Sequence, residues 1–116
     1  MPPTTAEFAI SIEQCWSIAT ASVYTLANPA KGQCSVTALL AQDCLGGDIL
    51  KTRVTGVWHF YNFVNGERLD FTASQFDDPI IYEDIASGRA DAFMDTTSAQ
   101  YRALSAAFRE QDNERE

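Results

Sequence analysis

Near the N-terminus, Phe8, Ile10, Ile12, Cys15, Trp16 and Ala19 recur at mostly helical spacing. Thr4 stands three residues before Glu7, the arrangement of a capping box. Together they predict a helix over about 7–19. The stretch from Ser22 to Lys31 contains Asn28-Pro29, and a residue before proline avoids the helical region, so this segment reads as loop. A second helix is predicted from Gln33 or Cys34. It carries Val36, Ala38, Leu39, Leu40, Ala41 and Leu45 and stops at Gly46-Gly47, where the chain can turn left-handed. Apolar residues surround most of it, which predicts a helix buried at the centre of the domain.

The period then changes. Ile49–Val54 and Val57–Val64 are rich in β-branched and aromatic residues. Asn65-Gly66 is a two-residue hairpin signal, with Leu69 and Phe71 on the return strand. Beyond Asp77-Asp78-Pro79 the pattern weakens, predicting a short strand or helix around Ile80–Ile85 and an extended piece near Ala90–Met94. Thr97 or Ser98 is placed to cap a last helix through Tyr101, Leu104, Ala107 and Phe108, and the charged tail 110–116 is expected to fray. The whole is a single α+β domain spanning 1–116: an N-terminal helix and a central helix packed on an antiparallel sheet, then a C-terminal helix.

The hairpin register bears on chemistry. With Asn65-Gly66 as the loop, Val64 faces Glu67, Tyr61 faces Asp70 and His59 faces Thr72. Side chains alternate along a strand, so His59, Tyr61, Asp70 and Thr72 share one face, and Trp58, Phe60, Val64, Leu69 and Phe71 share the other, apolar one. His59 and Asp70 are then diagonal neighbours, about 5–8 Å apart at Cβ, close enough for an imidazole to meet a carboxylate. Cys34 opens the central helix, where the helix dipole and a nearby imidazolium would lower a thiol pKa.

Cysteine, histidine and aspartate in this order predict a thiol-dependent hydrolase or acyltransferase acting on an amide or ester. Cys34 is the nucleophile, His59 the acid and base, and Asp70 steadies the imidazole. The Cys34 N–H is a candidate oxyanion donor, with the amide of Asn28 or Gln33 as a second. Tyr61, Phe63 and loop residues around Asn28 would line a pocket for an aromatic or apolar acyl group. The alternative is a non-catalytic binding or regulatory module that uses the same cleft for a peptide or small molecule. Redox sensing by Cys34 would need a thiol nearby. Cys15 is the only candidate, because about 15 Å of helical rise separates Cys34 from Cys44.

Composition narrows the partners. A formal charge of −8 with only 8 Lys and Arg disfavours nucleic acid and anionic membrane surfaces. No apolar run reaches the roughly 20 residues of a membrane span and no signal peptide is evident, so a cytoplasmic location is expected. Three irregularly spaced cysteines fit a reducing compartment. Cys15 and Cys44 read as small buried apolar residues. A single histidine with dispersed thiols offers no ligand set for a metal, and no cofactor is expected.

Several of these motifs together resemble the YunG family of small bacterial proteins over roughly residues 14–76. They are Asn-Pro-Ala-Lys-Gly-Gln-Cys at 28–34, Gln42-Asp43, Gly46-Gly47, Leu50-Lys51-Thr52, His59 with Tyr61-Asn62, and Asp70-Phe71-Thr72 with Gln75-Phe76. More distantly, Gly32-Gln33-Cys34 is similar to the nucleophile motif of transglutaminases, and the Cys, His, Asp order resembles that of papain-like enzymes. The papain-like resemblance implies a minimal papain-like core. It also implies an oxyanion amide six positions before the nucleophile, where this chain has Asn28. The tryptophan that commonly follows the cysteine is replaced by Ser35.

Overall fold

The computed structural model describes residues 2–115. Thr4 caps α1 (Thr5–Glu13) through a capping box: its hydroxyl accepts the Glu7 N–H at 3.1 Å, and the Glu7 carboxylate accepts the Thr4 N–H at 2.9 Å. The helix ends earlier than the apolar spacing predicts. Past it, the Thr20 hydroxyl accepts the Ser17 N–H and donates to the Ser17 carbonyl in a turn, the competition by which short polar side chains break helices. Trp16 is buried all the same, its indole N–H donating to Thr37 Oγ1 at 2.9 Å.

The central helix α2 (Cys34–Leu45) starts where expected, and its residues 34–41 are buried without interruption. Gly46 ends it at φ 78°, and Gly47 follows at φ 75°. A Cβ on Gly47 would lie 2.4 Å from the Phe63 carbonyl oxygen, so only glycine lets the chain pass this close to the sheet.

Strands β1 (Asp48–Val54), β2 (Val57–Val64) and β3 (Glu67–Leu69) form a meander through two tight turns. Both turns have positive φ at both central residues, Thr55-Gly56 and Asn65-Gly66, as type I′ hairpins demand. Strand β4 (Ile85–Ala86) pairs with the far side of β1, giving the antiparallel order β3-β2-β1-β4. The predicted register holds where the strands pair, with Val64 opposite Glu67 and Asn62 opposite Leu69. The ladder stops there, so the expected pairing of Tyr61 with Asp70 and a return strand reaching Phe71 are corrected. Asp70 Oδ1 accepts the Thr72 N–H at 3.2 Å in an aspartate turn, and Phe71 leaves to pack edge-on against Phe8, 4.8 Å between ring centroids.

The segment after that turn, a 3-10 turn at Ala73–Gln75 and an irregular stretch to β4, covers the His59 ring with Phe76 and gives the Tyr61 hydroxyl its partner, Asp84. The polar face of the hairpin is therefore buried, with His59 and Tyr61 each 1 % exposed. The extended piece expected at 90–94 is instead helix α3 (Arg89–Ala92) and a turn, which places Ala92 in the core. Helix α4 (Ser98–Arg115) is capped by Thr97, whose hydroxyl accepts the Gln100 N–H at 3.1 Å. It runs through the tail expected to fray, up to Arg115; Glu116 lies outside the described residues.

Two apolar clusters flank α2. One joins α1, Cys15, Trp16, Leu40, Leu104 and Phe108; the other joins Cys34, Ala38 and Leu39 to Ile49 and Phe60 of the sheet. Cys15 and Cys34 thus sit in separate clusters, and all three cysteines are free.

Candidate functional site

The site forms where β3 falls short of β2. A two-residue hairpin makes Val64 and Glu67 a hydrogen-bonded pair, so the even-numbered residues of β2 direct their N–H and C=O toward β3. Phe60 is even, and β3 has already ended opposite it. Its N–H instead meets the Cys34 sulfur at the first turn of α2. The cysteine is thereby fixed against an open sheet edge.

His59 points to the other face of β2 and reaches the same edge. Its Nε2 lies 2.7 Å from Asp70 Oδ2, with both side chains almost fully buried. A carboxylate can only accept, so Nε2 is the donor in this contact. The ring is held between Tyr61, stacked at 6.0 Å, and Phe76, edge-on at 5.0 Å. Nδ1 is buried and has no hydrogen-bond partner among the described residues. Such an orphan is uncommon in a folded protein. Cys34 and His59 both line a cavity of ≈ 350 Å³, together with Gly32, Trp58, Gln75, Phe76 and Asp95.

Asp70 is held more firmly than the sequence suggests. Besides His59 and the Thr72 N–H, it accepts the Tyr82 hydroxyl at 2.8 Å. Tyr82 follows a stretch with no clear period, so no signal in the pattern pointed to it. Gln75 also went unrecognised: it lines the cavity, and its Oε1 accepts the Gly32 N–H at 3.4 Å.

The other candidates are placed away from the reacting atoms. Gln33 is fully buried, its Oε1 accepting from Thr20 and its Nε2 donating to the Ser17 carbonyl. Asn28 donates its amide to the Gln75 carbonyl at 3.0 Å, so it touches the cavity only through Gln75. The Tyr61 hydroxyl donates to Asp84 Oδ1 and accepts the Asp84 N–H, both at 2.8 Å. Neither Tyr61 nor Phe63 lines the cavity, so the expected pocket of Tyr61, Phe63 and Asn28 is absent from its wall. The first backbone N–H groups of α2 lack intrahelical partners, and the Gln33 side chain does not cap them.

The electrostatics reverse one expectation. Burial pushes the Cys34 thiol up to about 12, and the carboxylates of Asp95 and Asp70 push the same way. The N–H groups of Phe60 and Ser35 pull it down but do not compensate. Cys34 is 8 % exposed, and dehydration of the anion outweighs the pull of the helix N-terminus. The resting cysteine is a neutral thiol, and it shares its cavity with His59.

Among the described residues, no three His, Cys, Asp or Glu side chains come together to hold a metal ion, and no helix is long and apolar enough to cross a membrane. No solved structure matches the chain. The uncharacterised protein YunG of Bacillus subtilis (strain 168) is 50 % identical over 97 residues, covering 84 % of each chain. The family model described as YunG protein matches residues 4–113, which include every residue of the site, and the chain belongs to the YunG family.

Proposed function

We propose that Cys34, His59 and Asp70 act as a triad of papain-like type in a thiol-dependent hydrolase or acyltransferase with an amide or ester substrate. The observation that carries this reading is the orphaned, buried His59 Nδ1. His59 lines the cavity that Cys34 lines, and its opposite ring nitrogen is held by Asp70.

The chemistry follows from the neutral thiol. As the Cys34 sulfur bonds to the carbonyl carbon, its proton passes to His59 Nδ1 and the C=O electron pair moves onto oxygen. Asp70 stabilises the imidazolium formed, and N–H groups at the start of α2 take the oxyanion. Collapse of the tetrahedral species expels the amine or alcohol, which leaves with the proton from His59. A thioester on Cys34 remains. Water or another nucleophile, deprotonated by His59, then releases the acyl group and returns the proton to sulfur. Because the ion pair forms only on attack, Cys34 stays protonated until a substrate arrives.

A second reading has its own support: a thiol this buried and this weakly acidic also suits a cavity that binds without turnover. A panel of activated esters and aryl amides separates the two. Turnover by the wild type that is absent in Cys34→Ser supports the triad. Absence of turnover with saturable binding of the same compounds supports the binding module.

A further inference from the structure

Asp95 stands at the mouth of the Cys34 cavity and also borders a smaller recess with Trp58, Phe60, Asp91 and Met94. Its side chain is exposed and forms no ion pair with the described residues. On its other side the Cys34 cavity adjoins a trough of ≈ 470 Å³. The two share Val54, Thr55, Gln75 and Phe76, and Asp77 and Asp78 also line the trough. Three carboxylates therefore face the combined space. Among the described residues, the only cationic side chain on its walls is Arg53, whose guanidinium lies 4.7 Å from the centre of the Trp58 ring. Lys51, which also lies over Trp58, is neutralised by Asp91 at 2.6 Å.

We propose that this cavity takes a cationic substrate, an amine or guanidine whose positive group sits at Asp95 while its carbonyl meets Cys34. Two independent features meet here. One is the unpaired carboxylate at the mouth; the other is the unpartnered, buried Nδ1 of His59, a residue that lines the same cavity and is 1 % exposed. A negative group at the mouth meets Asp95, while Arg53 is held over the Trp58 ring. The net charge of −8 adds a long-range field that draws cations inward. As a choice of substrate class this rests on the thiol acyl-transfer reading, but the charge preference of the cavity can be measured without turnover.

The experiment uses two methanethiosulfonate reagents of similar size on the full chain, one bearing a trimethylammonioethyl group and one a sulfonatoethyl group. The Cys34 sulfur attacks the reagent's thio sulfur, a mixed disulfide forms and methanesulfinate leaves. Modification at Cys34 is followed by mass spectrometry to keep it apart from Cys15 and Cys44. Relative to the same ratio for a neutral cysteine peptide, the cationic reagent is expected to gain about tenfold or more at low salt. Asp95→Asn should remove most of that gain. The effect of Asp95 on thiol acidity is common to both reagents and cancels in the ratio. A ratio equal to that of the peptide, or one unchanged by Asp95→Asn, overturns the proposal. Failure of the acyl-transfer reading would appear elsewhere, as absence of an acyl adduct on Cys34.

Discussion

The Tyr82 hydroxyl lies 2.8 Å from Asp70 Oδ2, the same carboxylate oxygen that faces His59 Nε2 at 2.7 Å. Two donors on one oxygen, with the Thr72 N–H on the other, fix the position of the buried carboxylate and orient the imidazole against it. Tyr82 is thus a positioning residue for His59, acting through Asp70. Tyr82→Phe removes one hydrogen bond to a charged group and should cost about 1.5–3 kcal/mol of unfolding free energy. Asp70→Ala strands both His59 and Tyr82 and should cost more, about 3–5 kcal/mol. Urea unfolding of the two variants checks the order; equal stability of Asp70→Ala and wild type would remove Asp70 from the buried network.

The buried thiol gives the stability a distinct pH dependence. The Cys34 pKa is raised to about 12 in the folded chain, against about 8.5 for a free cysteine. A raised folded pKa means that its contribution is complete below the unfolded value and is lost as pH climbs toward the folded one. Wild type should therefore lose stability between about pH 8.5 and 12 relative to Cys34→Ala, in which that titration is gone. Denaturation midpoints of both proteins across this range provide the check. Alkylation of Cys34 by iodoacetamide should likewise keep rising through pH 9; a plateau near pH 6 would indicate a standing thiolate and contradict the neutral resting state.

Gly32 ties the approach loop to the cavity. It holds φ +76°, and a Cβ there would stand 2.4 Å from Val23 Cγ2. Gly32→Ala should lose about 1–2 kcal/mol from the left-handed backbone alone. The shift should also disturb the Gly32 N–H bond to Gln75 and so slow Cys34 chemistry. A variant with unchanged midpoint and unchanged Cys34 reactivity would show that the loop tolerates a side chain.

Much of this arrangement was legible in the residues because local rules govern it. The Thr4–Glu7 box, the start of α2 at Cys34 and the Asn65-Gly66 register all depend on neighbours within a few positions, and that register placed His59 beside Asp70. The rest depends on tertiary contact. Helix α1 stops short because Ser17 and Thr20 form a turn of their own and Trp16 is drawn to Thr37. The return strand ends at Leu69 because Asp70 turns to cap Thr72. Gln33 looks like an oxyanion amide by position, yet it is used inside the core by Ser17 and Thr20. Tyr82 and Asp95 come from segments without apolar period, and only folding brings them to the cavity. The thiol pKa was misjudged for a related reason: helix position is visible in sequence, whereas depth of burial is not.

The most direct test is single-turnover acylation. The full chain is mixed with excess p-nitrophenyl acetate at neutral pH and followed by intact and peptide mass spectrometry, in wild type and His59→Ala. The account predicts an acetyl thioester on Cys34 in wild type, formed about 10²–10⁴ times faster than in His59→Ala. Absence of an adduct on Cys34, or an equal rate in both proteins, would contradict it.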